Sequence, residues 1–191
     1  MKIKILILCS LIFYSEYTYS QWNKKREKNK TKLVLSDGER KKFDHNFFEA
    51  LKQKHLENYQ EALALFEKCI KIDPNAAAPL YEAAKIYKNL NQSNQALEYS
   101  LKAHKLSEAN ETYAYLCARL LSKQKKYQQA KEIYKSLTKT NKKSEIYFYE
   151  LADIYILSSD FKGAIKTYNE LESIIGINKM LSLQKHKIYM Q

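Results

Sequence analysis

Ala62, Ala96, Ala130 and Ala164 stand 34 residues apart, and reading outward from each gives the same register four times. Twelve residues before each lies another alanine: Ala50, Ala84, Ala118 and Ala152. Three before come Tyr59, Ser93, Tyr127 and Phe161, and four after come Phe66, Ser100, Tyr134 and Tyr168. Seven after come Cys69, Ala103, Leu137 and Leu171. No insertion or deletion interrupts the units 43–76, 77–110, 111–144 and 145–178. A fixed period of this size marks a solenoid, in which each supersecondary unit buries a face that only its neighbour can cover. A plain helical bundle has no reason to hold so strict a register.

Inside a unit the spacing is helical twice. Leu80, Ala83, Ala84, Tyr87 and Leu90 fall on one face of a helix, and Ala96, Leu97, Leu101 and Ala103 do so again after the polar break "NQSN". Each unit therefore reads as a helix A, a tight turn and a helix B. With only 3 Gly and 2 Pro in 191 residues, a turn-rich β architecture is excluded and an all-α chain expected. Small residues at the shared alanine positions let the two helix backbones approach closely, and the aromatics fill the space toward the next unit.

These positions resemble the tetratricopeptide repeat family, whose pattern "NYQEALALFEKCIKIDPN" (residues 58–75) follows almost in full. The resemblance covers residues 43–178 and implies a right-handed α-α superhelix of about four helix-turn-helix repeats. There are departures. The glycine frequent at unit position 15 is replaced by Glu57, Asn91, Lys125 and Ser159, and the late proline survives only as Pro74. Unit 2 has Ser93 and Ser100 where aromatics are expected, so it should be the loosest. Residues 179–191 read equally as a short capping helix, its outer face made polar by Lys185, His186 and Lys187, or as the start of a fifth repeat.

The N-terminus is a separate object. A cationic "MKIK", an apolar run "ILILCSLIF" and small residues at Thr18 and Ser20 have the layout of a secretory signal peptide over residues 1–20. Cleavage is expected after Ser20, because the apolar run is too short to span a bilayer. An exported, periplasmic or envelope-associated protein follows, and the order of basic lead-in and then repeats is similar to that of larger bacterial envelope proteins of this class. Removing Lys2, Lys4 and Glu16 leaves 31 basic and 20 acidic residues, a net +11. Residues 21–42 carry +6 of it and read as a solvated basic linker, with contact to an anionic surface as the alternative. No aromatics interleave these charges for base stacking, so nucleic acid is not an expected partner. Cys69 and Cys117 fall on the apolar faces of different units and read as small buried hydrophobes, with a disulfide as the other reading.

Chemistry is hard to place. His45, His55, His104 and His186 are scattered, and neither a metal-ligand spacing, a nucleophile elbow nor a glycine-rich phosphate loop occurs in the sequence. The expectation is a non-enzyme with no cofactor and no metal. The resemblance implies that helices A line a concave groove. There unit position 5 gives Phe47, Tyr81, Tyr115 and Tyr149, and position 9 gives Leu51, Lys85, Arg119 and Asp153. Lys54, Lys88, Asn89 and Lys123 follow at positions 12 and 13, and Ile156 and Leu157 form an apolar wall. The expected partner-binding residues are Tyr81, Lys85, Lys88, Tyr115, Arg119, Lys123 and Tyr149. They suit a protein or peptide segment with acidic character and apolar anchors, Lys85 and Arg119 meeting its carboxylates. The plainer reading makes the tyrosines packing and the lysines solvated. An adaptor of the cell envelope, the front part of a longer repeat array, and an anionic-surface binder using residues 23–42 with peripheral membrane contact are the three functional readings.

Overall fold

A computed structural model describes residues 35–190. The signal peptide, its cleavage point after Ser20, Cys9 and residues 21–34 of the basic segment lie outside the described residues. The described part forms helices without strands: α1 (Asp37–His55), α2 (Tyr59–Ile72), α3 (Ala77–Asn89), α4 (Ser93–Leu106), α5 (Glu111–Lys123), α6 (Tyr127–Thr140), α7 (Glu145–Leu157), α8 (Phe161–Ile175) and α9 (Lys179–Tyr189). Odd-numbered helices are helices A and even-numbered ones helices B. Consecutive helices pack on one another in order, as an all-α repeat solenoid requires. Helix α1 starts earlier than the sequence suggested, so residues 37–42, read as the end of a linker, are helical. Asp37 and Glu39 in its first turn complement the positive end of the helix dipole.

The repeat is explained by its contacts. All eight register alanines, from Ala50 to Ala164, are fully buried at the crossings of A and B. Phe66, Tyr134 and Tyr168 fill the same site in units 1, 3 and 4 at 0–1% exposure. The apolar clusters run across unit boundaries, Ala84, Ala96, Cys117, Ala130 and Ile154 belonging to one of them. No unit closes its own core. Unit 2, expected loosest, is not: α3 and α4 lie as close along their length as any pair. Ser100 is small, 1% exposed, and donates its hydroxyl to the Leu97 carbonyl, so the site is closed without an aromatic ring. Tyr99 meanwhile supplies the missing ring, 5.1 Å from Tyr87.

The four A–B turns are one structure repeated. Glu57, Asn91, Lys125 and Ser159 all adopt the left-handed conformation, with φ between 59° and 61°. The next residue's N–H reaches five back, Asn58 to Gln53, Gln92 to Tyr87, Lys126 to Leu121 and Asp160 to Tyr155, at 2.8–2.9 Å. The left-handed residue itself donates three back, as Asn91 does to Lys88. This is the Schellman closure of a helix, which glycine usually serves because it has no Cβ to strain there. No glycine stands at these four positions, but the backbone geometry it would serve is formed at each.

Cys69 and Cys117 are unbridged, fully buried thiols in different units. Burial pushes both up to about 11, and the Cys69 Sγ lies 3.6 Å from the Phe43 carbonyl it donates to. Among the described residues no helix is long and apolar enough to cross a membrane.

Candidate functional site

Helices α3, α5 and α7 bring three of the expected binding residues to one place. Lys88 from α3 and Arg119 and Lys123 from α5 surround a cavity of about 470 Å³ whose apolar lining comes from Leu116 and Leu120. Glu150 of α7 closes the far side. The other expected residues stand apart from it. Tyr81 packs its ring 4.7 Å from Tyr113, with the Lys85 ammonium 5.0 Å over its face. Tyr149 packs against Tyr168 at 6.1 Å. Tyr115 sits between, 5.5 Å from Tyr147, and the Arg119 guanidinium lies 5.7 Å over it. These tyrosines are half-buried, so part of each ring is packing and only the remainder is contact area.

Two carboxylates absent from the sequence reading change the electrostatics. Glu82 takes Lys54 at 2.5 Å and Lys85 at 3.1 Å. Glu150 takes the Arg119 Nε at 3.7 Å and accepts hydrogen bonds from the Tyr115 and Tyr134 hydroxyls at 3.1 and 3.2 Å. Lys85 and Arg119, expected to meet a partner's carboxylates, already face carboxylates of the chain itself. The register explains which cations are left. Glu82 and Glu150 occupy unit position 6, and the preceding unit's position 12 reaches across to it, as Lys54 does to Glu82. Lys88 is the next residue at position 12, but its counterpart at position 6 is Leu116. It pairs with no carboxylate among the described residues, and neither does Lys123. The two glutamates, alternating at one register position with Phe48 and Leu116, were the signal that could have revealed this.

Burial and the nearby Glu150 carboxylate hold the Tyr115 and Tyr134 hydroxyls above the ordinary phenol range, which keeps them donors. Farther along, Asp153 is pushed above the usual carboxylate range by desolvation and then by Glu150. Tyr168, desolvated and close to Asp153, rises to about 12. The face of the helices A is thus cationic in the middle, at Lys88 and Lys123, and acidic at α7. Among the described residues no group of three His, Cys, Asp or Glu side chains could hold a metal ion.

Comparison with known proteins agrees with the architecture. The family model of the anaphase-promoting complex, cyclosome, subunit 3, matches residues 55–137, less than half of the chain. No curated protein sequence matches. Among solved structures, a crystal structure of MamA protein superposes with a TM-score of 0.69 at 19% identity, covering 78% of this chain and 81% of that one. MamA from Desulfovibrio magneticus gives 0.67 at 16% identity, over 82% and 86% of the two chains. A tetratricopeptide repeat protein from Parabacteroides merdae gives 0.62 at 16% identity, over 78% of this chain and 58% of that one. At these identities the likeness shows the fold.

Proposed function

We propose that this chain, which folds as a tetratricopeptide-repeat solenoid, works as a non-catalytic protein-interaction scaffold of the cell envelope. It holds an extended or helical segment of a partner against the groove of its helices A. The observation that carries this reading is the cavity between α3, α5 and α7, with Lys88 and Lys123 unpaired above Leu116 and Leu120. A rigid helical wall fixes the backbone from which these groups project, which lowers the ordering cost of binding. A partner segment with one or two carboxylates beside an apolar residue satisfies both halves of the cavity. The tyrosine edges of Tyr81, Tyr115 and Tyr149 extend the contact along neighbouring units. Lys85 and Arg119 serve mainly to hold Glu82 and Glu150, a positioning role.

Export rests on the N-terminal layout of charge, apolar run and small residues, and is tested by N-terminal sequencing of the mature protein, expected to start at Gln21. The groove is tested by affinity capture of the tagged full chain from its own envelope, with bound proteins identified by mass spectrometry. Lys88→Glu/Lys123→Glu is expected to lose partners that the wild type enriches, whereas Lys105→Glu/Lys139→Glu on helices B retains them. Leu116→Glu supplies Lys88 with the carboxylate that unit 2 already offers Lys54, and is expected to weaken capture in the same way. Equal enrichment by all variants removes the groove from the account.

A further inference from the structure

The last junction of the stack is built differently from the others. Between α8 and α9 lies a cavity of about 520 Å³ with Phe161, Ile165, Ile188 and Tyr189 around it. In units 1 and 2 the equivalents of Ile165 are covered by the following hairpin, Leu63 at 9% and Leu97 at 3% exposure, while in unit 3 the position is the half-buried Lys131. After α8 the described residues contain only one more helix, the helix A α9. Leu181 and Ile188 of α9 join Phe148, Ala164, Tyr168 and Leu171 in one cluster, and the Lys185 ammonium turns inward to Glu172 at 2.9 Å and Asn169 at 3.2 Å. Lys185 therefore does not belong to a polar outer face. Phe161 remains 38% and Tyr189 72% exposed. The face of α8 beside the cavity therefore keeps an apolar surface that no other described helix covers.

Residue identity says how that place differs. His186 stands in the register of Ala50, Ala84, Ala118 and Ala152, four residues that are fully buried where helix B crosses helix A. An imidazole there prevents the close crossing, so a helix seated on this face rides farther out and must fill the cavity with large side chains. Charge then selects among occupants. Lys162 and Lys166 line the cavity, and neither pairs with a carboxylate among the described residues. Lys187 adds a further basic group on α9, and Glu172 of α8 is held by Lys185. A second copy of this chain packed symmetrically on the same face would set lysine against lysine.

We propose that the α8–α9 cavity docks an amphipathic helix of a partner protein, with large apolar residues on one face and Asp or Glu along its flanks. Phe161, Ile165, Ile188 and Tyr189 bury its apolar residues, and Lys162 and Lys166 meet its carboxylates. This site is separate from the cavity between α3, α5 and α7, and its partner need not be the same protein.

The test uses the full mature chain and two labelled model peptides, one with Leu and Phe on one face and Glu on both flanks, the other with Lys replacing Glu. Fluorescence anisotropy is expected to show tighter binding of the Glu peptide, with amide chemical-shift changes centred on residues 161–169 and 181–189. The exposed double substitution Lys162→Glu/Lys166→Glu, which leaves the apolar packing intact, is expected to weaken the Glu peptide about tenfold or more and to favour the Lys peptide instead. Lys88→Glu/Lys123→Glu is expected to leave this binding unchanged, which separates it from the groove. Equal affinity for both peptides, or shift changes elsewhere on the chain, overturns the proposal. So does a concentration-dependent dimer in sedimentation equilibrium that Lys162→Glu/Lys166→Glu strengthens, since the occupant is then a second copy.

Discussion

Four residues carry the strain of this fold, and none of them is glycine. Glu57, Lys125 and Ser159 hold φ near 60°, where a Cβ crowds the following carbonyl, while Asn91 tolerates the same conformation better. Replacing Lys125 by Gly is expected to raise stability by about 0.5–1 kcal/mol in thermal melting, and Asn91→Gly to change it least. A loss of stability at Lys125→Gly would show that the side chain contributes more than its backbone costs. Gly163 is the opposite case. A Cβ built there would lie 2.4 Å from the Tyr155 ring, so Gly163→Ala forces that ring out of place and is expected to cost about 1–3 kcal/mol. Tyr155→Leu should recover part of it. At this scale the sequence was legible where the period acts and silent elsewhere. The eight alanines and the aromatic sites could be placed because burial recurs every unit. The role of Glu150 could not, because its partners come from two other helices and a single sequence does not say which charge faces which.

The hairpins extend the same reasoning to elements. Each A–B turn takes three residues, 56–58, 90–92, 124–126 and 158–160, and ends the helix by the same two backbone hydrogen bonds. The two helices then cross at buried alanines, so Ala118→Leu and Ala130→Leu are each expected to cost about 1–3 kcal/mol by overpacking. Chemical denaturation followed by circular dichroism measures the loss. Helix α9 stabilises by burying Leu181 and Ile188 over unit 4, and Leu181→Ala is expected to cost about 2–5 kcal/mol. Its effect on amide exchange should be greatest in α7 and α8 and fade toward α2, since stacked units feel mainly their neighbours. Uniform acceleration through all helices would mean that the stack melts as one block. That unit 2 packs closely around Ser100 was not readable from the missing aromatic. A small residue leaves either a gap or a closer approach, and only the three-dimensional packing decides between them.

Taken as a whole molecule, the described chain is a series of apolar clusters bridging successive units, with Cys117, Tyr134 and Tyr168 inside them and Cys69 buried in unit 1. Cys69 and Cys117 are raised from an ordinary 9.0 to about 11 by burial, so the folded state keeps their protons where the unfolded chain has begun to lose them. The stability this protects is complete below pH 9 and is lost as pH rises toward 11. Melting temperature is expected to fall over that window, and the Cys69→Ala/Cys117→Ala variant to fall less steeply. Tyr134 and Tyr168, raised in the same direction, add to the loss above pH 10. On the face of the helices A, Lys88 is unpaired among the described residues because the register leaves it opposite an apolar residue, and Lys123 lines the same cavity. That coincidence, Lys88 opposite Leu116, is what the functional reading depends on. Photocrosslinking in the native cell tests it most directly, with a crosslinking amino acid placed at position 88 or 123 and, as the comparison, at position 105 or 139. The account predicts adducts with one partner at 88 and 123, mapped by mass spectrometry to an acidic segment of that partner. Adducts confined to 105 and 139, or the same adducts from all four positions, would contradict it.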